Sequence, residues 1–343
     1  MRRRLALVSV TCAVAVLAAC SGGGQPPPAA SVAEGDELVA LAQQEGQVVW
    51  YTGNLQPSID AVQKEFEATY GIEVQVPERL SSAALAQRID ADVRATDVIG
   101  ADVITTADAA LVDSLRAEDY TTALSPEMFP DLPADFMQGD AGVGCSVVVP
   151  VIGYNKAALG DLTVDSWDDL LDPRLSGRIM VNDPRNSGAW AQLLATVLAD
   201  PRLGESYLHK LRAQDYQPVA SSLVGAEQLG AGQGDVLVAG TPAQFARPGE
   251  DIATWFPTDP APITVTPCAL TSGSAHPNAG KLFLQWLMTP EGQAAANNPD
   301  YLASPLESVP GATVQLPDDY VKAPPPAEVE AALPAVLQSL GFS

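Results

Sequence analysis

The chain has 343 residues, 47% of them hydrophobic, and sets 42 acidic against 18 basic side chains for a formal net charge of −24. That length allows one large or two ordinary domains, and such acidity argues against nucleic acid and anionic lipid as partners while leaving the charge of a local cleft open. Two histidines, His209 and His276, and no G-x-S-x-G, H-E-x-x-H, C-x-x-C or P-loop pattern leave little general-base or nucleophile chemistry, so an enzyme is the disfavoured class.

Arg2, Arg3 and Arg4 precede an apolar run from Leu5 to Leu17, and Ala18, Ala19 and Cys20 close it, the order of a secretory signal. The closing residues resemble a bacterial lipobox, which implies cleavage after residue 19 and diacylation of the Cys20 thiol. A membrane-spanning helix is the alternative, but the run is shorter than the roughly 20 residues a bilayer needs. Loss of three arginines with the signal moves the charge from −24 to −27, since residues 1–19 contain no acid. Residues 20–35 include SGGGQPPPAA, which has no means of forming a core and reads as a tether. Cys12 leaves with the signal, so Cys145 and Cys268 remain, and an oxidising compartment favours their pairing.

From Glu37 the pattern alternates. A helix over 37–45 leads to a strand over 47–51, a loop at Thr52-Gly53-Asn54 and an amphipathic helix over 58–70. A strand over 72–76 follows, then a polar loop over 78–82 and a helix over 83–95 with Leu85, Ile89 and Val93 at helical spacing. The third unit is a strand over 101–104, the Thr105-Thr106 loop and a helix over 108–116. Three strand-loop-helix units in a row predict an α/β fold with a mainly parallel sheet covered by helices. Tyr51, Thr52, Asn54, Ser81, Ser82, Thr105 and Thr106 lie after strand ends, where ligands of open α/β sheets bind; Ser82 and Asp108 serve equally well as helix N-caps.

The run Gly144–Asn155, GCSVVVPVIGYN, reads as an extended strand that leads out of this lobe, kept from the middle of a sheet by Pro150. Beyond it come a short capped helix over 166–171, a strand over 177–181, the loop Asn182–Gly188 and a helix over 189–199. Polar and glycine residues at that helix start, Asn182, Asn186, Ser187 and Gly188, offer a seat for an anion, or simply a capped connector. A helix over 204–212, a strand over 217–220, a helix over 224–231 and a strand over 235–238 lead to Gly240-Thr241-Pro242. The segment 263–270, ITVTPCAL, mirrors the first extended run, and helices over 278–288, 290–296 and 327–340 close the chain. Trp50, Tyr51, Tyr154 and Trp190 line a cleft or fill cores.

In this order the chain resembles a type II periplasmic solute-binding protein of an ABC importer, in the ferric-iron-binding-like group. The resemblance rests on QEGQVVWYTG (44–53), GYNK (153–156), SWDDLLDP (166–173) with Gly177, DPRNSG (183–188), AHPNA (275–279) and TPEG (289–292), which together span nearly all of the mature chain. It implies two lobes: residues 36–143 with 270–305, and residues 156–262 with 306–343. Residues 144–155 and 263–269 would be hinge strands side by side, with a Cys145–Cys268 disulfide between them. It also implies a monomer that captures a small solute in the interlobe cleft and delivers it to an ABC permease, lipid-anchored outside the cytoplasm and without a cofactor. Tyr154, Trp190 and Thr241 join the ligand-binding candidates.

Ferric-binding members use an adjacent tyrosine pair in the second lobe. The matching region here, Val238–Gln244, has none, and the first loop offers Asn54 and Gln56 rather than histidine. Neutral donors and a helix N-terminus favour a small organic or anionic solute such as a phosphonate or phosphate ester, with Arg79, Arg185 and Arg247 as candidate countercharges. Ferric iron, as transported ligand in an atypical site, is the alternative. A non-transport envelope lipoprotein is a third reading, and it would expose apolar surface instead of a polar cleft.

Overall fold

The computed structural model describes residues 35–186, 188–246 and 251–342. The expected signal, Cys20 and the tether lie outside the described residues, as do Ser187 and Arg247; the side chains of Asn186 and Gly188 are also undescribed.

Helix α1 (Gly35–Glu45) precedes strand β1 (Gln47–Tyr51), helix α2 (Gln56–Tyr70) and strand β2 (Glu73–Gln75). Helix α3 (Ser82–Thr96) is capped by Ser81, one residue before the expected cap Ser82, which is already helical; the Ser81 side chain accepts from the Ala84 N–H, and the buried Leu85 and Ile89 turn inward, one helical turn apart. Strand β3 (Val103–Thr105) and helix α4 (Ala109–Ala117), capped by Asp108, complete the third unit. The three units stand where the periodicity puts them, with boundaries moved by a residue or two.

The extended run at 144–155 is two strands, not one. Strands β4 (Met137–Gln138) and β5 (Gly142–Val148) belong to the first sheet, and β6 (Val151–Asn155) belongs to the second. The break falls at Val149-Pro150, where the missing proline N–H ends the ladder.

Helix α5 (Lys156–Leu159) follows, and the expected helix over 166–171 is only a 3₁₀ turn at Asp169–Leu171, fixed by the Asp169 N–H to the Ser166 hydroxyl. Strand β7 (Ile179–Asn182), helices α6 (Gly188–Ala199) and α7 (Gly204–Arg212), strand β8 (Gln217–Val219), helix α8 (Ser222–Gly230), strand β9 (Val236–Gly240) and helix α9 (Pro242–Phe245) build the second lobe. Strand β10 (Ile252–Trp255) closes its sheet, a strand too short to stand out in the sequence. Strand β11 (Ala261–Leu270) returns to the first sheet, followed by helices α10 (Pro277–Leu287) and α11 (Pro290–Asn297), strand β12 (Tyr320–Lys322) and helix α12 (Pro326–Leu340).

The first sheet runs β2-β1-β3-β11-β5-β4 with β12 beside β11, and the second runs β10-β6-β9-β7-β8. Both have a parallel half, β2-β1-β3 and β9-β7-β8, and both turn antiparallel where the connecting strands enter. A bulge between Thr266 and Pro267 lets β11 keep its pairing with β5 despite the proline. Trp50, Phe66, Phe283 and Trp286 fill the core beneath the first sheet, and Trp167, Trp190, Tyr207 and Trp255 fill that of the second. Helix α12 packs on α6 and α7, in the second lobe. Residues 314–320 depart from the expected division: Val314, Leu316 and Tyr320 cluster with Phe136 and Val147 beside the first sheet, because β12 pairs with β11 there.

Candidate functional site

Three loops of the first lobe converge at the ends of its parallel strands. Leu80 N–H donates to Thr52 O, and the Thr52 hydroxyl donates to Asn54 Oδ1 while accepting from the Asn54 N–H. The first two loops are thereby locked together. A side chain at Gly53 would meet Leu80 O at 2.8 Å, so glycine is what allows the close approach. The third loop is held by Thr106, whose N–H donates to Pro267 O and whose hydroxyl accepts from Asp108 N–H.

These loops border a cleft of about 340 Å³. Its near wall carries Asn54, Leu55, Leu80, Ser81, Ser82, Thr105 and Thr106; Ser146 on β5 and Thr266 on β11 also line it, and Thr241 and Ala243 come from the second lobe. Ser146 and Thr266 are register partners, so their side chains share one face of the sheet. Ser146 is 2% exposed, and its hydroxyl lines the cleft with those of Ser82 and Thr266, none of the three hydrogen-bonded to a described residue. On the far side, Gln244 accepts from Thr241 N–H and donates to the Ser222 hydroxyl, fixing the start of α9. The first N–H groups of α3, a fifteen-residue helix, open beside Ser81 and Ser82. The cleft therefore offers hydroxyls, an amide and backbone N–H groups over an apolar lip of Leu55, Leu80 and Leu302. A larger cavity of about 600 Å³ lies by Phe136, Leu306 and Tyr320, lined by first-lobe loops and no second-lobe strand ends.

Residues 48–298 match the family described as "Bacterial extracellular solute-binding protein". The chain belongs to that family. An uncharacterized protein of Haemophilus influenzae is 25% identical over 162 residues, 44% of this chain and 46% of that protein; the match spans about half the length of that relative. Among solved structures, the Trichodesmium protein in complex with iron and citrate superposes with a TM-score of 0.68 at 17% identity, covering 87% of this chain and 100% of that one. The Actinobacillus pleuropneumoniae periplasmic binding protein AfuA, with fructose-6-phosphate bound, superposes at 0.59 and 17% identity, covering 87% and 99%. The shared architecture is the two-lobed periplasmic binding protein fold.

In this solute-binding protein, six of the sequence candidates, Asn54, Ser81, Ser82, Thr105, Thr106 and Thr241, come together at the cleft. Thr105 is turned partly away: its hydroxyl accepts from Trp50 Nε1 (2.9 Å) and lies 3.0 Å from Cys268 Sγ. Thr52 is buried and shapes the loop from behind.

The remaining candidates sit elsewhere. Tyr51 is 1% exposed, packed under α3; its hydroxyl donates to Asp92 and Arg88 covers its ring, and burial followed by the Asp92 bond pushes its pKa up to about 12. Tyr154 packs half-buried against the second core. Trp190 is core, its indole N–H donating to Asn182 O, and the Asn182 side chain is fully buried with both amide atoms unpaired. Aromatic residues near the end of a strand, like Tyr51 and Tyr154, or in the first turn of a helix, like Trp190, face inward as readily as outward, and here they pack into the cores. Asn186 closes a 3₁₀ turn and Gly188 begins α6.

Of the countercharges, Arg185 pairs with Asp183 and holds that carboxyl below its ordinary value. Arg79 is exposed beside the first loop, its Nε donating to Gly53 O. His276 bonds Asp102 at the start of α10 and His209 lies on α7. Sequence reasoning missed Leu55, Leu80, Ser146, Thr266, Asp300 and Leu302. Alternation along the two connecting strands was the available signal for Ser146 and Thr266; Asp300 and Leu302 come from a stretch without periodicity.

Proposed function

We propose that this protein captures a small anionic organic solute, a phosphonate or phosphate ester, in the cleft and presents it to an ABC permease. Asn54, Ser81, Ser82, Thr105, Thr106 and Thr241 would contact it with Ser146 and Thr266. The observation that carries the reading is the pair of unpartnered hydroxyls, Ser146 and Thr266, on adjacent strands below the first turn of α3. Hydroxyls and helix N–H groups donate to oxyanions, and the fructose-6-phosphate bound to AfuA is a phosphate ester in the same fold. Closure of the lobes over solute, stabilised by contacts to both, would create the form the permease reads. Cys20 would carry the lipid anchor, and Cys145 and Cys268, whose Cα atoms are 5.8 Å apart, would form the disulfide, a separation such bonds accommodate.

Ferric iron is the second reading, favoured by the iron-and-citrate complex of the Trichodesmium relative. Among the described cleft residues Asp300 is the one anionic donor, and none is tyrosine. A thermal-shift panel of phosphonates, phosphate esters, carboxylates, polyamines, sugars and metal ions tests both. Stabilisation by a phosphonate or phosphate ester with no visible charge-transfer band on ferric titration supports the first. A band with no oxyanion response sinks it, and no response at all would end the transport reading.

A further inference from the structure

One charged side chain in the cleft wall runs against an anionic ligand. Asp300 is 6% exposed, and it follows α11 in a 3₁₀ turn (Asn298–Asp300) packed on α2. Its Oδ2 accepts from Leu55 N–H at 2.8 Å, at the start of α2, while Oδ1 is sealed from solvent with no hydrogen-bond partner. The Ser58 hydroxyl faces the carboxyl without forming a well-made bond. The neighbouring elements carry Asp60, Lys64, Glu65 and Glu67 on α2, Glu291 on α11, and Glu78 and Arg79 on the loop before α3. Of these, Arg79 is the group whose charge bears on Asp300, and it is exposed at the rim. Glu78 pairs with Arg88, Lys64 with Glu65, and Asp60 accepts from Gln56.

We propose that Asp300 is the specificity-determining acid of the cleft: capture of an anionic solute is coupled to uptake of one proton by its carboxyl. The inference rests on the anionic reading above. A buried carboxylate with one fixed N–H donor cannot recruit water to screen a second negative charge brought into the same wall, so the free energy falls when it protonates. Burial already pushes its pKa up, opposed by Leu55 N–H, Ser58 and Arg79. Each unit by which the bound anion raises that pKa further is about a tenfold difference in affinity between the protonated and ionised protein. The acid thereby favours anions at low pH, and a cation would show the opposite dependence.

The test uses methylphosphonate together with methanesulfonate, which does not titrate, in calorimetry from about pH 8 to about pH 5. Wild type should bind methanesulfonate about tenfold or more tightly at the acid end, and the heats in buffers of different ionisation enthalpy should report uptake of a proton. Asp300→Asn should bind it tightly at every pH, with the dependence gone, and Arg79→Gln should weaken binding while keeping the dependence. The variant should also fold. A raised folded pKa contributes stability below that pKa and loses it as pH rises through it, so the neutral amide should be no less stable than wild type near pH 8. Oxyanion binding with no proton uptake, or a pH dependence that survives Asp300→Asn, overturns the proposal and leaves the anionic reading standing. Ferric binding that tightens with pH and weakens in Asp300→Asn overturns both. If Asp300→Asn fails to fold, the wild-type proton count alone decides.

Discussion

Replacing Gly153 by alanine should damage the cleft from the far side of the second sheet. A Cβ there would stand 2.2, 2.6 and 2.7 Å from atoms of the Phe245 ring, well inside ordinary contact. The ring cannot retreat toward β9, because its other edge already lies against Gly240, where a Cβ would stand 2.5 Å from Cε2. Phe245 is buried between two glycines, so α9 itself must lift, and α9 carries Ala243 and begins at Thr241. Overpacking of this kind costs about 1–3 kcal/mol, offset by roughly 0.5–1 kcal/mol for removing a glycine from a strand. A net loss of about 1–2 kcal/mol should lower Tm by several degrees, accompanied by weaker solute binding. Gly153→Ala with Phe245→Leu should recover part of the loss, giving a coupling of about 1 kcal/mol or more in a double-mutant cycle. A Gly153→Ala protein with unchanged Tm and affinity, or strictly additive effects in the cycle, would refute the reasoning.

Gln293 is fully buried and bonds Leu287 O, Asn297 and Ser304, while Asn297 in turn donates to Cys145 O. Gln293→Met keeps the volume but strands these partners, so urea unfolding should show a loss of about 2–4 kcal/mol. Thr105→Val should leave the Trp50 indole N–H unpaired in the core, shifting its fluorescence and costing about 1–3 kcal/mol. Asp183 has a folded pKa lowered chiefly by Arg185, so its contribution is present above the unfolded value and disappears as pH falls through the folded one. Asp183→Asn should accordingly cost under about 1 kcal/mol near neutrality, and in acid unfolding curves the difference from wild type should shrink and vanish as the wild-type carboxyl is protonated. Replacing Cys145 and Cys268 together by alanine should cost up to about 4–5 kcal/mol if a bridge closes a loop with a separation of 123 residues; the unfolded wild-type mature chain, with both cysteines in place, should show their two thiols only after reduction.

Much of the first lobe was legible because its third and fourth helices carry a capping signal and an apolar stripe: a serine pair before Leu85 and Ile89, of which Ser81 and not the expected Ser82 is the cap, and Asp108 before Val112 and Leu115. The loops that follow such strands were therefore placed, and Asn54, Ser82 and Thr106 with them. The run through Pro150 was legible as a special strand but not as two, since a β-branched sequence says nothing about which sheet its halves join. Tyr51 and Trp190 misled because a chemically capable side chain at a strand or helix end can serve packing instead, and only the pleat decides. Asp300 was invisible: its role depends on an N–H contributed 245 residues earlier in the chain.

The two sheets share no strand, and the chain passes from β5 to β6 through Val149-Pro150 without a continuing ladder. Amide exchange should consequently report two separately protected sets, one for each sheet, with Val149 as a fast-exchanging gap between slow neighbours Val147 and Ile152. Solute that bridges the lobes would bind the two sets to a common opening rate, so exchange under native conditions reads occupancy even for a ligand whose chemistry is not yet known.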